Sequence, residues 1–131
     1  MTSDMHIFFA KVCDLKPLEG FIAERADWLQ EKIISDNKWT TPIVVDNKYG
    51  LVMDGHHRLE VSKRLCLQQV PVIVCSYSDV EVYSLREDEV DTIDQIIDNY
   101  NNNILYPNKT AKHIFKFKLT ENLGVSLEKL K

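Results

Sequence analysis

The stretch GLVMDGHHRLEVSKRL, Gly50 to Leu65, passes from three apolar residues (Leu51, Val52, Met53) through Asp54-Gly55-His56-His57-Arg58 into helical spacing. The apolar triplet reads as the end of a strand and the segment after Gly55 as a helix, which puts the polar string at a strand-to-helix junction. A helix start presents N–H groups without intrahelical partners and a partial positive charge, a combination that suits phosphate. Gly55 has no Cβ to hold a ligand away from the backbone. Arg58, about one turn further on, offers a bidentate clamp for phosphate oxygens, and His56 and His57 add further donors. Asp54 is the discordant member. Beside a phosphate it is a helix cap, a Mg²⁺ ligand or a proton acceptor. The plain alternative has Asp54 capping the helix and both histidines serving as surface or packing residues.

Working outward, TPIVVDNKYGLVMD reads as a hairpin with arms Pro42–Val45 and Leu51–Met53 and a turn at Asp46–Gly50. On its N-terminal side, Met5–Val12 is apolar and aromatic enough for a first strand, and Pro17 and Gly20 leave Glu19 in a loop. Ala23 to Asp36 places Ala26, Leu29, Ile33 and Ile34 at helical spacing, with acids early in the segment. On its C-terminal side, His56–Leu67 is expected to form a second helix and Gln69–Tyr77 a strand. Further on, Val90, Ile93, Ile96, Ile97 and Tyr100 share a helical face that the Asn101–Asn103 run closes. A Pro-Asn turn in ILYPNKTAKHIFKFK precedes a short strand, and VSLEKLK makes terminal helical turns. Strands and helices mixed with a hairpin point to an α+β fold rather than strict βαβ alternation.

A chain of 131 residues fits one domain with a real core. The balance of 16 Lys+Arg against 20 Asp+Glu, a net charge of −4, argues against a protein whose main task is gripping nucleic acid. Cys13, Cys66 and Cys75 form no C-x-x-C pair and read as buried free thiols in a reducing cytoplasm. Cys66 falls within the expected second helix, where packing is a better reading than catalysis. Neither a bilayer-spanning apolar run nor a signal peptide is present, so the expected location is cytoplasmic, without membrane partners. A zinc site is disfavoured, because adjacent histidines point about 100° apart on a helix instead of sharing an i, i+4 face.

The order LKPLEGF, helix, TPIVVDNKYGLVMDGHHRLEVSKRLCLQQVPVIV resembles the ParB/sulfiredoxin-type domain over residues 5–77: an early proline loop, a helix, a P-I-x-V strand, a strand leading to H-R, a helix and a V-P-V strand. Sulfiredoxins have a reactive cysteine immediately before the H-R pair, where this chain has His56. The D-G-H-H-R form is instead similar to the free serine kinases. That resemblance implies a compact domain with a small mixed sheet and flanking helices, and makes residues 78–131 an extension that holds the substrate motif. It also implies a catalytic base in the first loop, matched by Glu19, and a late P-K-T-T-R-H motif that contacts the amino acid. PNKTAKH, Pro107–His113, keeps Lys109, Thr110 and His113 but inserts Asn108 and has Ala111 and Lys112 for the second threonine and the arginine.

What the resemblance implies is phosphorylation of the hydroxyl of free L-serine, or a similar small hydroxy amino acid, from ATP or ADP with Mg²⁺. Gly55, His56, His57 and Arg58 would hold the nucleotide phosphates, and Glu19 would accept the hydroxyl proton. Asp54 would hold the metal or act as a second carboxylate. Lys109, Thr110 and His113 would bind the substrate. The alternative is a ParB-like nucleotide- or DNA-binding regulator. It is disfavoured by the acidic charge and by the lack of a convincing helix-turn-helix after the V-P-V strand.

Overall fold

The computed structural model describes residues 6–84, 93–102, 104–105 and 111–131. Its centre is a four-stranded sheet built from β1 (Ile7–Lys11), β3 (Ile43–Asp46), β4 (Val52–Asp54) and β5 (Gln69–Cys75) in the order β1-β5-β3-β4. β1 runs antiparallel to β5, β5 parallel to β3, and β3 antiparallel to β4. Helix α1 (Ala23–Asp36) and strand β2 (Lys38–Trp39) lie between β1 and β3, and α2 (His56–Arg64) joins β4 to β5. Beyond β5 come β6 (Glu81–Ser84), α3 (Ile93–Asn101), β7 (Ala111–Ile114) and β8 (Val125–Ser126). Among the described residues no helix is long and apolar enough to cross a membrane.

The near-continuous apolar runs of β3 and β5 reflect burial on both faces of the sheet. On one face Ile43, Val45, Val52, Val70 and Val72 pack with Leu29 and Ile33 of α1 and Leu59 and Val61 of α2. On the other, Val44, Met53, Ile73 and Cys75 pack with Leu18, Tyr77, Val80 and Ile96. The chain's end belongs to the first of these cores. β8 pairs with β2, Leu127 and Leu130 are buried, and Ser126 Oγ accepts from Glu128 N–H at the start of a short 3-10 turn. The terminal helical turns expected from VSLEKLK therefore begin as a strand, because Val125 pairs with Trp39. Trp39 is fully buried and donates from Nε1 to Thr41 O at 2.7 Å. Truncating such a residue costs about 3–5 kcal/mol.

Local chemistry explains most of the element boundaries. α1 stops at Asn37, which takes the left-handed conformation (φ 51°) that asparagine tolerates. The β3–β4 turn is organised by Asp46, whose buried carboxylate accepts from the N–H groups of Lys48, Tyr49 and Leu51. α2 ends three residues before the expected Leu67. Cys66 turns left-handed (φ 55°), with Cys66 N–H donating to Lys63 O and Leu67 N–H to Ser62 O. This is a Schellman closure with cysteine where glycine is usual, and it returns Leu67 to the core. Cys66 is consequently exposed, as is Cys13. Of the three thiols expected to be buried only Cys75 is. The strand expected near PNKTAKH is β7, and its partner is β6, a pairing that no spacing in the sequence announces.

Candidate active site

Two glycines bring the first loop and the start of α2 together. Gly50 has φ +73°, and a Cβ there would meet Asp14 O at 2.6 Å. The bare backbone lets Lys16 bridge the start of β4, with Lys16 N–H donating to Gly50 O and Val52 N–H to Lys16 O, both at 2.8 Å. Gly55 is the N-cap of α2 at φ +108°, and a Cβ there would lie 3.2 Å from Ile43 Cγ1. Gly55, as the N-cap, has no side chain with which to cap the helix. Asp54 is the exposed last residue of β4.

The two histidines face the loop. His56 Nε2 accepts from Leu18 N–H at 3.0 Å and from Glu19 N–H at 3.2 Å. His57 Nε2 accepts from Ile22 N–H at 3.0 Å, at the entry to α1. Loop residues 16–22 are thus tied at both ends and at the centre, and Glu19 is buried at the central tie. Phe21 continues the attachment, with the Arg64 guanidinium 5.8 Å from its ring centre. Arg64 in turn pairs with Asp27 of α1 at 2.7 Å and Glu60 at 3.0 Å.

Electrostatics sharpen the arrangement. Desolvation lowers the His56 pKa from its usual 6.5 to about 3, with the nearby His113 and His57 adding to the effect. His56 is therefore a neutral acceptor at physiological pH, the only state in which Nε2 takes these two hydrogen bonds. Burial also pushes the Arg58 pKa down, opposed by the charges of Asp54 and Glu121. Arg58 stays charged, since an arginine does not deprotonate in a protein. A poorly solvated guanidinium facing carboxylates is suited to an anion with a bound cation.

His113 reaches the same neighbourhood from β7. Its Nε2 lies 3.0 Å from Tyr77 Oη, and its ring stacks on Phe115 at 6.3 Å. Burial lowers its pKa to about 4. Its Nδ1 is buried without a partner among the described residues. The tautomer of His113 sets which of the two donates, and Nδ1 is a donor in the tautomer in which the Tyr77 hydroxyl gives its proton to Nε2. Lys109 and Thr110 lie outside the described residues.

The geometry thus gathers Glu19, Gly55, His56, His57 and Arg58, with Asp54 and His113 adjoining. Sequence reasoning missed Tyr77 and Glu121. Tyr77 read as the end of a strand and Glu121 carried no signal, and only the folded chain brings Tyr77 to His113 and the charge of Glu121 to Arg58. No group of three or more His, Cys, Asp or Glu among the described residues is arranged to hold a metal. Mg²⁺ does not require one, because it keeps its waters and binds through one or two carboxylates and substrate phosphates. Asp54 beside a phosphate-seeking helix start fits that pattern. A cleft of about 920 Å³ lined by Lys11, Cys13, Lys16, Lys63, Gln68 and Lys131, among others, shares none of the gathered residues.

The chain has the fold of solved free serine kinases. One in complex with AMP superposes with a TM-score of 0.86 over 99% of this chain and 95% of its own, at 16% identity. SbnI from Staphylococcus aureus, truncated at its C-terminus, gives 0.83 over 96% and 89% of the two chains, at 14% identity. Among curated proteins, an ATP-dependent L-serine kinase of Staphylothermus marinus is 40% identical over 73 residues, 52% of this chain and 29% of its own length. A ParB-like protein of Sulfolobus acidocaldarius is 34% identical over 68 residues, again 52% of this chain and 34% of its own. The match thus spans about a third of these relatives' length. No family model matches the chain.

Proposed function

We propose that this protein is a kinase that transfers the terminal phosphoryl group of ATP or ADP to the hydroxyl of free L-serine or a similar small hydroxy amino acid. The observation that carries the reading is the tie between the Glu19 loop and the start of α2 through His56 and His57. It sets a buried carboxylate beside a helix end suited to phosphate. The fold shared with free serine kinases and the identity to an ATP-dependent L-serine kinase support it.

Phosphoryl transfer needs positioning, charge neutralisation and a group that orients the nucleophile. Glu19 orients the serine hydroxyl and takes its proton as the new O–P bond forms and the bond to the departing nucleotide breaks. The N–H groups at the start of α2, beside Gly55, and the Arg58 guanidinium hold the phosphates and offset the charge that develops on them. His57 keeps the far end of the loop tied through Ile22 N–H. When bound, Mg²⁺ supplies further charge neutralisation, and Asp54 is the residue that would hold it. His113 Nδ1 offers its proton to the substrate carboxylate, with Lys109 and Thr110 assigned to the same substrate from their motif.

The test is to incubate the protein with Mg²⁺, ATP or ADP and a pool of free hydroxy amino acids, then search for phosphorylated products by mass spectrometry. A nucleotide-dependent phosphoamino acid supports the reading and identifies donor and acceptor. Nucleotide binding without product favours the ParB-like regulatory alternative.

A further inference from the structure

We propose that His56 is a positioning residue: its Nε2 accepts the N–H groups of Leu18 and Glu19 and thereby fixes the backbone from which the Glu19 carboxylate projects, so that Nε2 is not a donor to a nucleotide phosphate. This inference rests on the reading of Glu19 as the base.

Four observations carry it. The two backbone nitrogens lie 3.0 and 3.2 Å from one ring atom, so a single lone pair takes two adjacent donors of the loop. An Nε2 engaged in this way has no proton to give to a phosphate. The ring itself cannot drift. His56 is the first residue of α2, directly after a glycine at which even a Cβ would lie 3.2 Å from Ile43 Cγ1. Finally, the loop is held independently on either side, at Lys16 by β4 and at Ile22 by His57. Without His56 it is the central span that loses two hydrogen bonds, and that span bears Glu19. The neighbouring histidines thus divide the work, His56 at the base and His57 at the entry to α1.

The substitutions that separate this from a phosphate contact are His56→Phe, which keeps a ring but has no acceptor, and His56→Gln, whose Oε1 reaches about as far as Nε2. The account expects His56→Phe to lower kcat at least ~10-fold while the Kd for ADP, measured by calorimetry, changes less than ~3-fold, and His56→Gln to recover most of the loss. It also expects the Leu18 and Glu19 amides to exchange at least ~10-fold faster in His56→Phe, with core amides such as Val72 unaffected. In the wild-type chain, ¹⁵N spectra of His56 at neutral pH are expected to show a protonated Nδ1 and a bare Nε2. That spectrum decides the matter if His56→Phe does not fold. A rise in the ADP Kd with kcat intact, wild-type exchange at both amides in His56→Phe, or a protonated Nε2 would each overturn the proposal. If the wild-type chain phosphorylates no hydroxy amino acid, the kinase reading fails by itself, and exchange and tautomer still decide whether His56 holds the loop.

Discussion

The imidazole of His56 lies 3.2 Å from the backbone nitrogen of Glu19, a residue 37 positions earlier in the chain. That hydrogen bond joins the two parts of the molecule to which chemistry is assigned, the first loop and the strand-to-helix junction. It gives Glu19 a fixed origin although the residue sits in an irregular segment.

Glu19→Gln keeps the size of the side chain and removes its capacity to take a proton. Turnover of the hydroxy amino acid is expected to fall by roughly 10²- to 10⁴-fold, the range for loss of a general base. Affinity for ADP is expected to stay within about threefold of wild type, because the nucleotide-binding groups are untouched. Steady-state kinetics with parallel calorimetry checks both, and a variant near the wild-type rate would show that another group is the base.

Arg58 is predicted to act chiefly on nucleotide binding. Arg58→Lys keeps the charge but loses the planar fork that grips two phosphate oxygens. The expected result is an ADP Kd raised by about tenfold, corresponding to about 1.4 kcal/mol. Unchanged affinity would remove Arg58 from the phosphate site.

The glycines predict an ordered stability series. Gly50→Ala puts a Cβ 2.6 Å from a backbone oxygen at positive φ, and Gly55→Ala puts one 3.2 Å from Ile43 at φ +108°. Left-handed backbone alone costs an L-residue about 1–2 kcal/mol, and the clash at Gly50 adds to it. Gly124 has open space around it and serves as the control. Urea unfolding is expected to rank Gly50→Ala as least stable, Gly55→Ala next, and Gly124→Ala close to wild type. Any other order contradicts the close approach of loop and strand.

The buried histidines predict acid lability. Both have folded pKa values below the usual 6.5, about 3 for His56 and about 4 for His113. Above pH 6.5 each is neutral whether folded or unfolded, so neither makes stability depend on pH. As the pH falls below 6.5 the unfolded chain takes up protons that the folded chain refuses. Each histidine then removes about 1.4 kcal/mol per pH unit until its folded value is reached. Between pH 7 and pH 5 the pair is expected to cost on the order of 4 kcal/mol. His113→Gln is expected to roughly halve that dependence. Equal urea midpoints at pH 7 and pH 5 would contradict burial of the two rings.

Much of this was legible in the sequence where a residue acts locally. Ala23–Asp36 is the helix its apolar spacing implied, Asn37 stops it, and Asp46–Gly50 makes the expected turn. The strand-to-helix junction at Asp54–Arg58 also lies where the polar string placed it. Elements that depend on distant partners were not legible. β2 has only Lys38 and Trp39, and its strand character comes from β8, far along the chain. Similarly, α2 closes early because Leu67 is needed in the core, a tertiary demand that helical spacing does not express. Within the site, the residue types were readable but their directions were not. Two histidines beside a phosphate-seeking helix start read as donors, whereas in the fold both Nε2 atoms accept from the loop. Hydrogen-bond polarity of a histidine is set by its partner, and the partners here come from the opposite end of the domain's first connection.

The central claim is tested most directly by ³¹P NMR of a reaction containing the purified protein, Mg²⁺, L-serine and either ATP or ADP. The account predicts a growing phosphoserine resonance matched by equimolar loss of the nucleotide's terminal phosphate, and its absence when Glu19→Gln replaces the wild-type chain. Nucleotide that stays intact, or is hydrolysed to inorganic phosphate with no phosphorylated amino acid for serine or any related hydroxy compound, would contradict it.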